Sequence, residues 1–392
     1  MILNQLSENF VFKTLKYIKY GHLKLTNFNG DVYYFGNEKE DLKAEIVIKK
    51  PDFTLSLIIN GSIGLAESYM KDEFETNNLS NLIELTAKNI DIIYKFSGIF
   101  DLPAINYIKN KFIKNTKERS KTNIAKHYDL GNEFFSIWLD KSLTYSSAIF
   151  GQKDQKLEDA QLNKYEKLAN LLSLKDGNKL LEIGCGWGGF AEYLAKKYDV
   201  KLDCITISKK QYEFSKERIY RCGLNHKVNI EMADYRDVKK KYNAIASIEM
   251  IEAVGKDYLH QYFQTIKKNL VDNGKAGIQA ITIDDKYFDR YKTKQDFIQK
   301  YIFPGGFLPS KKILYNYANR NGLEVSTYNS YGSHYSDTLI LWRNVFLKKW
   351  DLISKQGFDT TFKKMWNFYL SYCEAGFKSK NIDLIQFSLQ NR

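Results

Sequence analysis

Through the second half of the chain, short apolar runs with the two-residue period of a strand alternate with longer stretches of helical period. KLLEIG precedes GFAEYLAKKYD, KLDCITIS precedes KQYEFSKERIYRCG, VNIEMADY follows, and AIASIE leads through YLHQYFQTIKKNL to KAGIQAITI. Strands alternating with helices of this length predict an α/β, doubly wound and mostly parallel sheet covered on both faces. The first 90 or so residues read differently. HLKLTNF, DVYYFG and AEIVIKK alternate around turn pairs such as Asn29-Gly30, which predicts a few antiparallel strands, and after Pro51 the apolar spacing turns helical, with Asn78 and Ser80 as caps. The expected organisation is a smaller α+β domain at 1–105, a connection at 106–126 and the main domain at 127–392. In the tail, DTLILWRNVFLKKW is a further apolar stretch, and the helical FDTTFKKMWNFYLSYCEAGF is expected to close over the sheet.

At 392 residues the chain exceeds one ordinary core, in keeping with two domains. With 44% apolar and 27% charged residues and only 4 Pro, it is neither disordered nor low-complexity. No apolar run approaches the ~18 residues of a spanning helix, and the N-terminus lacks a cleavable leader pattern. The 4 Cys show neither C-x-x-C nor zinc spacing, so the expectation is a reduced, cytoplasmic protein without a metal site. The net charge of +13 favours an anionic partner: nucleic acid, an anionic bilayer or a phosphorylated substrate. Its densest run is Lys109, Lys111, Lys114, Lys117, Arg119, Lys121 and Lys126 against the single acid Glu118, and a solvated connecting helix would account for it equally well. The 28 Tyr and 25 Phe imply a core or a ligand site rich in rings.

The sharpest local signal is Leu180-Leu181-Glu182-Ile183-Gly184-Cys185-Gly186-Trp187-Gly188-Gly189-Phe190, a strand running through a glycine loop into a helix. Such a loop lets backbone approach a ligand at the sheet's switch point. No Lys-Ser/Thr pair follows Gly189, which excludes a P-loop. The third glycine comes one place early for a dinucleotide fingerprint, and the next strand ends Cys204-Ile205-Thr206-Ile207-Ser208 without a terminal acid. What remains is the E/D-x-G-x-G-x-G loop of a class I methyltransferase, with Glu182 organising a backbone that faces S-adenosylmethionine.

Around this loop the chain resembles the cyclopropane-fatty-acyl-phospholipid synthase family, which includes the mycolic acid cyclopropane synthases. The resemblance is carried by GSIGLAESYM (61–70), HYDLGNEFF (127–135), LTYSSA (143–148), TIS (206–208), EMIEAVG (249–255), YIFPGG (301–306) and His334-Tyr335. It implies a class I methyltransferase domain with an added, lipid-associated N-terminal domain, and methyl transfer from S-adenosylmethionine to a cis double bond of a membrane phospholipid acyl chain. By position, Tyr145, Ser146, Gly184, Gly186, Thr206, Gln211, Asp234 and Tyr235 would contact the cofactor. The family's base is a bicarbonate ion. Glu252, Tyr335 and the backbone at Ile281 match its binding residues, whereas Gln279 stands at the family's His position, as in plant members, and Ser147 at its Cys position. Gln279 can still donate to an anion, and Ser147 would offer mainly its backbone.

The chemistry sets further demands. An isolated alkene is a feeble nucleophile, so the methyl must be held close and in line. Attack leaves a carbocation, which ring faces can stabilise, a use for Tyr145, Tyr301, Phe303 and Tyr335 if they are not simply core. A proton must then leave the new methyl. His127 and His334 are further candidate bases, His127 more naturally as an orderer of the loop over the cofactor, and Phe307 reads as packing. A misplaced base would divert the cation to methylene, methyl-branched or furan-precursor products. The partner expected is an unsaturated phospholipid at the inner face of an anionic membrane, bound transiently through the basic run and apolar residues of the 61–70 segment, with a homodimer left open. An RNA methyltransferase would use the same charge, but no base-flipping Asn-Pro-Pro-Tyr motif and no RNA-binding signature are present, so no nucleic acid is expected. A non-catalytic lipid-binding protein is the remaining alternative, which the intact glycine loop opposes.

Overall fold

The computed structural model describes residues 2–97 and 130–391; the basic run and His127 lie outside them. The chain divides into two packed units, and the division is not the contiguous one expected from the sequence.

The first unit comprises residues 2–97 with 293–302 and 343–381. Its strands β1 (His22–Thr26), β2 (Val32–Gly36), β3 (Lys43–Ile48) and β4 (Phe74–Glu75) lie in the order β2-β1-β3-β4. The β1/β2 hairpin is antiparallel, but β3 pairs with β1 in parallel, which corrects the all-antiparallel expectation. A strand following a hairpin runs in the direction of the hairpin's first strand. β3 pairs there because its buried Ala44, Ile46 and Ile48 continue the face of Leu23 and Leu25, while β2 buries only Phe35 and stays at the edge.

The tail helix Thr360–Lys378 also belongs to this unit, packed on the helices Phe53–Met70 and Leu79–Lys88 rather than over the large sheet. It buries Trp366, Phe368, Leu370 and Phe377, each such side chain contributing about 1.5–3 kcal/mol. Its buried Glu374 accepts from Ser80 Oγ at 2.8 Å, Arg343 Nη2 at 2.9 Å and Lys378 Nζ at 2.7 Å, and Asn367 donates to the Tyr69 hydroxyl at 2.9 Å. Ser80 and Tyr69 are N-terminal in sequence, so reading the tail as a continuation of the second domain fails. In the 61–70 segment, Ile63, Leu65 and Tyr69 are half-buried; the exposed apolar side chains of this unit include Ile2, Leu3, Leu6 and Ile59.

The second unit comprises residues 130–292, 303–342 and 382–391. It contains β5 (Lys179–Ile183), β6 (Lys201–Thr206), β7 (Val228–Met232), β8 (Tyr242–Ile248), β9 (Leu270–Ile283), β10 (Leu323–Ser330) and β11 (Ile382–Asn391), in the order β10-β11-β9-β8-β5-β6-β7. The five strands from β9 to β7 are parallel; β11 runs antiparallel between β9 and β10. Strand alternation sends Leu180, Cys204 and Ala244 to one face, against Leu168, Leu194 and Ile219 of three helices. Leu181, Ile205 and Ile245 go to the other, against Phe263, Ile266, Leu314 and Ala318. The sheet is therefore doubly wound. Its order reverses between β5 and β8, and the crevice at the carboxyl ends of these strands is where such sheets bind ligands.

Candidate active site

β5 delivers the glycine loop to this crevice. Gly184 has φ 80°, and a Cβ there would stand 2.9 Å from Met250 Cγ, so the turn needs glycine. Gly186 has φ 54°, and a Cβ on it would meet nothing within 4 Å: the loop's backbone faces open space, as a cradle for a ligand requires. The loop is pinned from outside by Arg218 Nη1, which donates to the carbonyls of Trp187 at 2.7 Å and Ser142 at 2.8 Å, and by Trp187 Nε1 donating to Asn132 at 2.9 Å. Beneath it, burial pushes Glu182 up to about 7, opposed by a hydrogen bond from Cys204 and the charge of Lys164.

The other residues expected at the cofactor line the same rim. Thr206, at the end of β6, donates its hydroxyl to Gln211 at 2.9 Å, both side chains being buried. Asp234, just past β7, receives three bonds from Arg236: Nη2 at 2.6 Å, Nε at 2.8 Å and the backbone N–H at 3.0 Å. Tyr235 packs edge-on against Tyr262 at 5.8 Å, its hydroxyl buried without a hydrogen-bond partner among the described residues. Tyr145 belongs to an aromatic cluster, with ring centroids 5.2 Å from Phe135, 5.6 Å from Trp138 and 5.5 Å from Trp342, and Trp342 in turn meets Tyr335 at 6.2 Å. Ser146 is held from the helix Leu157–Leu172, accepting from Lys164 Nζ on its Oγ at 2.7 Å and from Gln161 Nε2 on its carbonyl at 3.0 Å.

Beside this wall lie two carboxylates. Glu249 follows β8 directly, in a left-handed conformation (φ 48°). Its Oε1 accepts from the Ser147 backbone N–H at 2.9 Å and Gln279 Nε2 at 2.8 Å, and its Oε2 from the Tyr335 hydroxyl at 2.6 Å. Its own N–H donates to the Gln279 carbonyl at 2.8 Å, and Gln386 Nε2 donates to Gln279 Oε1 at 2.9 Å, so β8, β9 and β11 all fix it. Burial raises Glu249 above the ordinary carboxylate range, opposed by Tyr335, Gln279, Ser147 and the charge of Lys164. Glu252, in the short helix Ile251–Val254, accepts the Ile281 backbone N–H, while its Oε2 is buried without a hydrogen-bond partner among the described residues. Burial and then the negative charge of Glu249 push it up to about 8. Of the two, Glu249 has the donors to remain a carboxylate, and Glu252 is the one that holds a proton near neutrality.

These groupings rest on residues that the sequence reading did not single out. Glu249 was visible only as a letter of EMIEAVG. Lys164 is fully buried, its ammonium 4.4 Å from the Tyr165 ring centre and facing Glu249, Asp140 and Glu182; burial brings it down to about 7. The available signal was a stripe on the helix Leu157–Leu172, where Gln161 and Lys164 share the buried face with Tyr165, Leu168 and Leu172. The remaining candidates are occupied elsewhere. His334 Nδ1 accepts the Phe150 N–H at 3.2 Å and tethers that loop. Tyr301 lies in the first unit and donates to Glu67 at 2.6 Å. Phe303 supports the turn to Gly306, and Phe307 is buried in the core, its N–H donating to the Glu252 carbonyl at 2.8 Å.

The shifted carboxyls make stability depend on pH. Glu252 (about 8) and Glu182 (about 7) bind protons when folded that the unfolded chain has released above about pH 4.5. Their contribution is complete below that pH and is lost as pH rises through the folded values. Lys164 acts oppositely, and only above about 7, where the unfolded chain is the one holding the proton. The melting temperature should therefore fall between about pH 5 and 7. Melting curves of wild type and Glu252→Gln across this range check the assignment: the wild type should lose stability relative to the variant as pH rises, and a constant difference would contradict it.

The bicarbonate expected here does not fit. Ser147 N–H, Gln279 Nε2, Tyr335 Oη–H and Ile281 N–H, the groups assigned to it, all donate to carboxylates of the chain itself. S-adenosylmethionine does fit, because at Gly186 the loop's backbone borders space that no side chain fills.

A doubly wound sheet of this strand order, with a glycine loop opening after β5, defines a class I S-adenosylmethionine-dependent methyltransferase. The family model for mycolic acid cyclopropane synthetase matches residues 115–387, and the chain belongs to that family. It is 34% identical over 353 residues to a tuberculostearic acid methyltransferase of Mycobacterium tuberculosis, covering 88% of this chain and 82% of that protein. It is also 34% identical over 347 residues to the cyclopropane-fatty-acyl-phospholipid synthase of Escherichia coli, covering 88% and 87%. Among solved structures it is similar to a mycolic acid cyclopropane synthase complexed with SAH and CTAB, with a TM-score of 0.65 and 28% identity over 69% of this chain and 98% of the other.

Proposed function

We propose that the protein transfers the methyl of S-adenosylmethionine to the cis double bond of an unsaturated acyl chain in a membrane phospholipid and closes a cyclopropane ring. The observation that carries this reading is the pairing of an aromatic wall (Phe135, Trp138, Tyr145, Trp342, Tyr335) with two buried carboxyls at the rim that bears the glycine loop. The bound cofactor supplies an electrophilic methyl. Gly186 leaves room for it, Gly184 permits the tight turn against Met250, and Ser146, fixed by Lys164 and Gln161, holds the loop carrying Tyr145. Ring faces stabilise the cation left on the chain, roughly 0.5–2 kcal/mol each, and burial keeps water from capturing it. The equal identity to a tuberculostearic acid methyltransferase favours a second outcome at the same site, a methylene or methyl-branched chain.

The test uses methyl-labelled S-adenosylmethionine and anionic phosphatidylglycerol vesicles with cis-unsaturated chains. Label is expected in the acyl chain, with chromatography separating ring from methylene products of equal mass. Label in RNA alone, or none in lipid, would overturn the reading.

A further inference from the structure

We infer that Glu249 is the general base of this reaction, a carboxylate built into the chain in the place of a bound anion. The inference rests on the acyl-chain reading above and concerns how its last proton is removed.

Three donors from three parts of the fold converge on the Glu249 carboxylate: the Ser147 N–H, Gln279 Nε2 and the Tyr335 hydroxyl, at 2.9, 2.8 and 2.6 Å. They are the groups that would cradle a small oxyanion, and the oxyanion they cradle is a side chain. A carboxylate has about four acceptor positions. Two on Oε1 and one on Oε2 are taken, which leaves a position on Oε2 beside Tyr335 for an incoming proton. A separate bicarbonate would have to displace Glu249 from its donors or lie against it. The cation facing Glu249 is the Lys164 ammonium, which also faces Asp140 and Glu182, and burying a further uncompensated anion is costly. The backbone points the same way. Glu249 sits at φ 48°, where a non-glycine residue carries strain of about 1–2 kcal/mol that glycine would avoid. Such strain at a site rim accompanies function.

The step balances within the chain and its substrates. The alkene π pair forms the bond to the methyl carbon while the S–C pair stays on sulfur, leaving a cation on the second alkene carbon. A proton of the transferred methyl passes to Glu249 Oε2, and the C–H electron pair closes the bond to the cationic carbon. The resulting carboxylic acid releases its proton to solvent after the product leaves. Glu252 faces this carboxylate already holding a proton, and Tyr335 and Gln279 orient it.

The experiment compares wild type, Glu249→Gly and Glu249→Gln in carbon dioxide-free buffer, with and without added bicarbonate. It reads lipid labelling, calorimetric binding of S-adenosylhomocysteine, and calorimetric binding of bicarbonate. Wild type should label lipid at the same rate in both buffers and bind no bicarbonate. Glu249→Gly, whose backbone suits glycine and whose donors are freed, should bind bicarbonate, lose about 10²-fold or more in rate without it, and regain activity with it. Glu249→Gln fills the space without basicity and should stay inactive in both. Wild type that requires or binds bicarbonate, or Glu249→Gln with wild-type rate, overturns the inference. Failure to label any lipid sinks the acyl-chain reading instead, and the bicarbonate-binding arm still decides this one. S-adenosylhomocysteine binding by each variant separates lost chemistry from lost folding.

Discussion

Replacing Lys164 by Met should destabilise the protein by about 1–3 kcal/mol, the cost of leaving the buried Ser146 hydroxyl without its donor. The methionine matches the lysine stem, so packing against the Tyr165 ring survives and the loss is polar. The ammonium that faces Glu249, Asp140 and Glu182 is gone, and Ser146 loses the donor on its hydroxyl. A second effect separates this from ordinary core damage. Lys164 is one of the influences holding Glu249 down against burial, so without it Glu249 takes a proton at higher pH. The acid limb of the pH–rate profile should move upward, because a protonated Glu249 cannot accept the proton of the new methyl. Chemical denaturation gives the stability loss, and labelling of unsaturated vesicles from pH 6 to 9 gives the profile. An unchanged acid limb in a folded variant would remove Lys164 from any role beyond packing.

The features that alternate or repeat in one dimension were legible in advance. The strand–helix alternation after residue 175 announced the doubly wound sheet, and the glycine loop after Ile183 announced its ligand crevice, because both are set by neighbours in sequence. Long-range partnership was not legible. Pairing of β3 with β1 rather than β2 depends on which edge continues a buried face. The tail helix Thr360–Lys378 reads as the last element of the second domain, yet its Glu374 and Asn367 meet Ser80 and Tyr69, almost 300 positions upstream. The site divides in the same way. Gln279, Ser147, Tyr335 and Ile281 are expected as donors to a bound anion; the first three donate instead to the side chain of Glu249, and Ile281 to that of Glu252. Nothing in EMIEAVG says that its first glutamate turns back through a left-handed residue into their midst.

Gly186→Val provides the complementary test, on the cofactor side of the crevice. A Cβ at this position meets no protein atom within 4 Å beyond its chain neighbours, so the side chain starts into open space in the free protein. The penalty on folding is confined to the left-handed backbone at φ 54°, about 1–2 kcal/mol. The cofactor, by contrast, has to occupy the space into which the valine projects. Affinity for S-adenosylhomocysteine should fall by about 10²-fold, ~2.8 kcal/mol, because the ligand must shift away from the loop's backbone donors or force the loop open. Gly184→Ala should show the opposite balance. Its Cβ stands 2.9 Å from Met250 Cγ, so the collision is with the protein itself and stability falls whether or not ligand is added. Calorimetric titration and melting curves on both variants distinguish the two, since Gly186→Val should lose most of the melting-temperature gain that ligand gives the wild type. If Gly186→Val binds S-adenosylhomocysteine as the wild type does, the cofactor lies elsewhere on the rim.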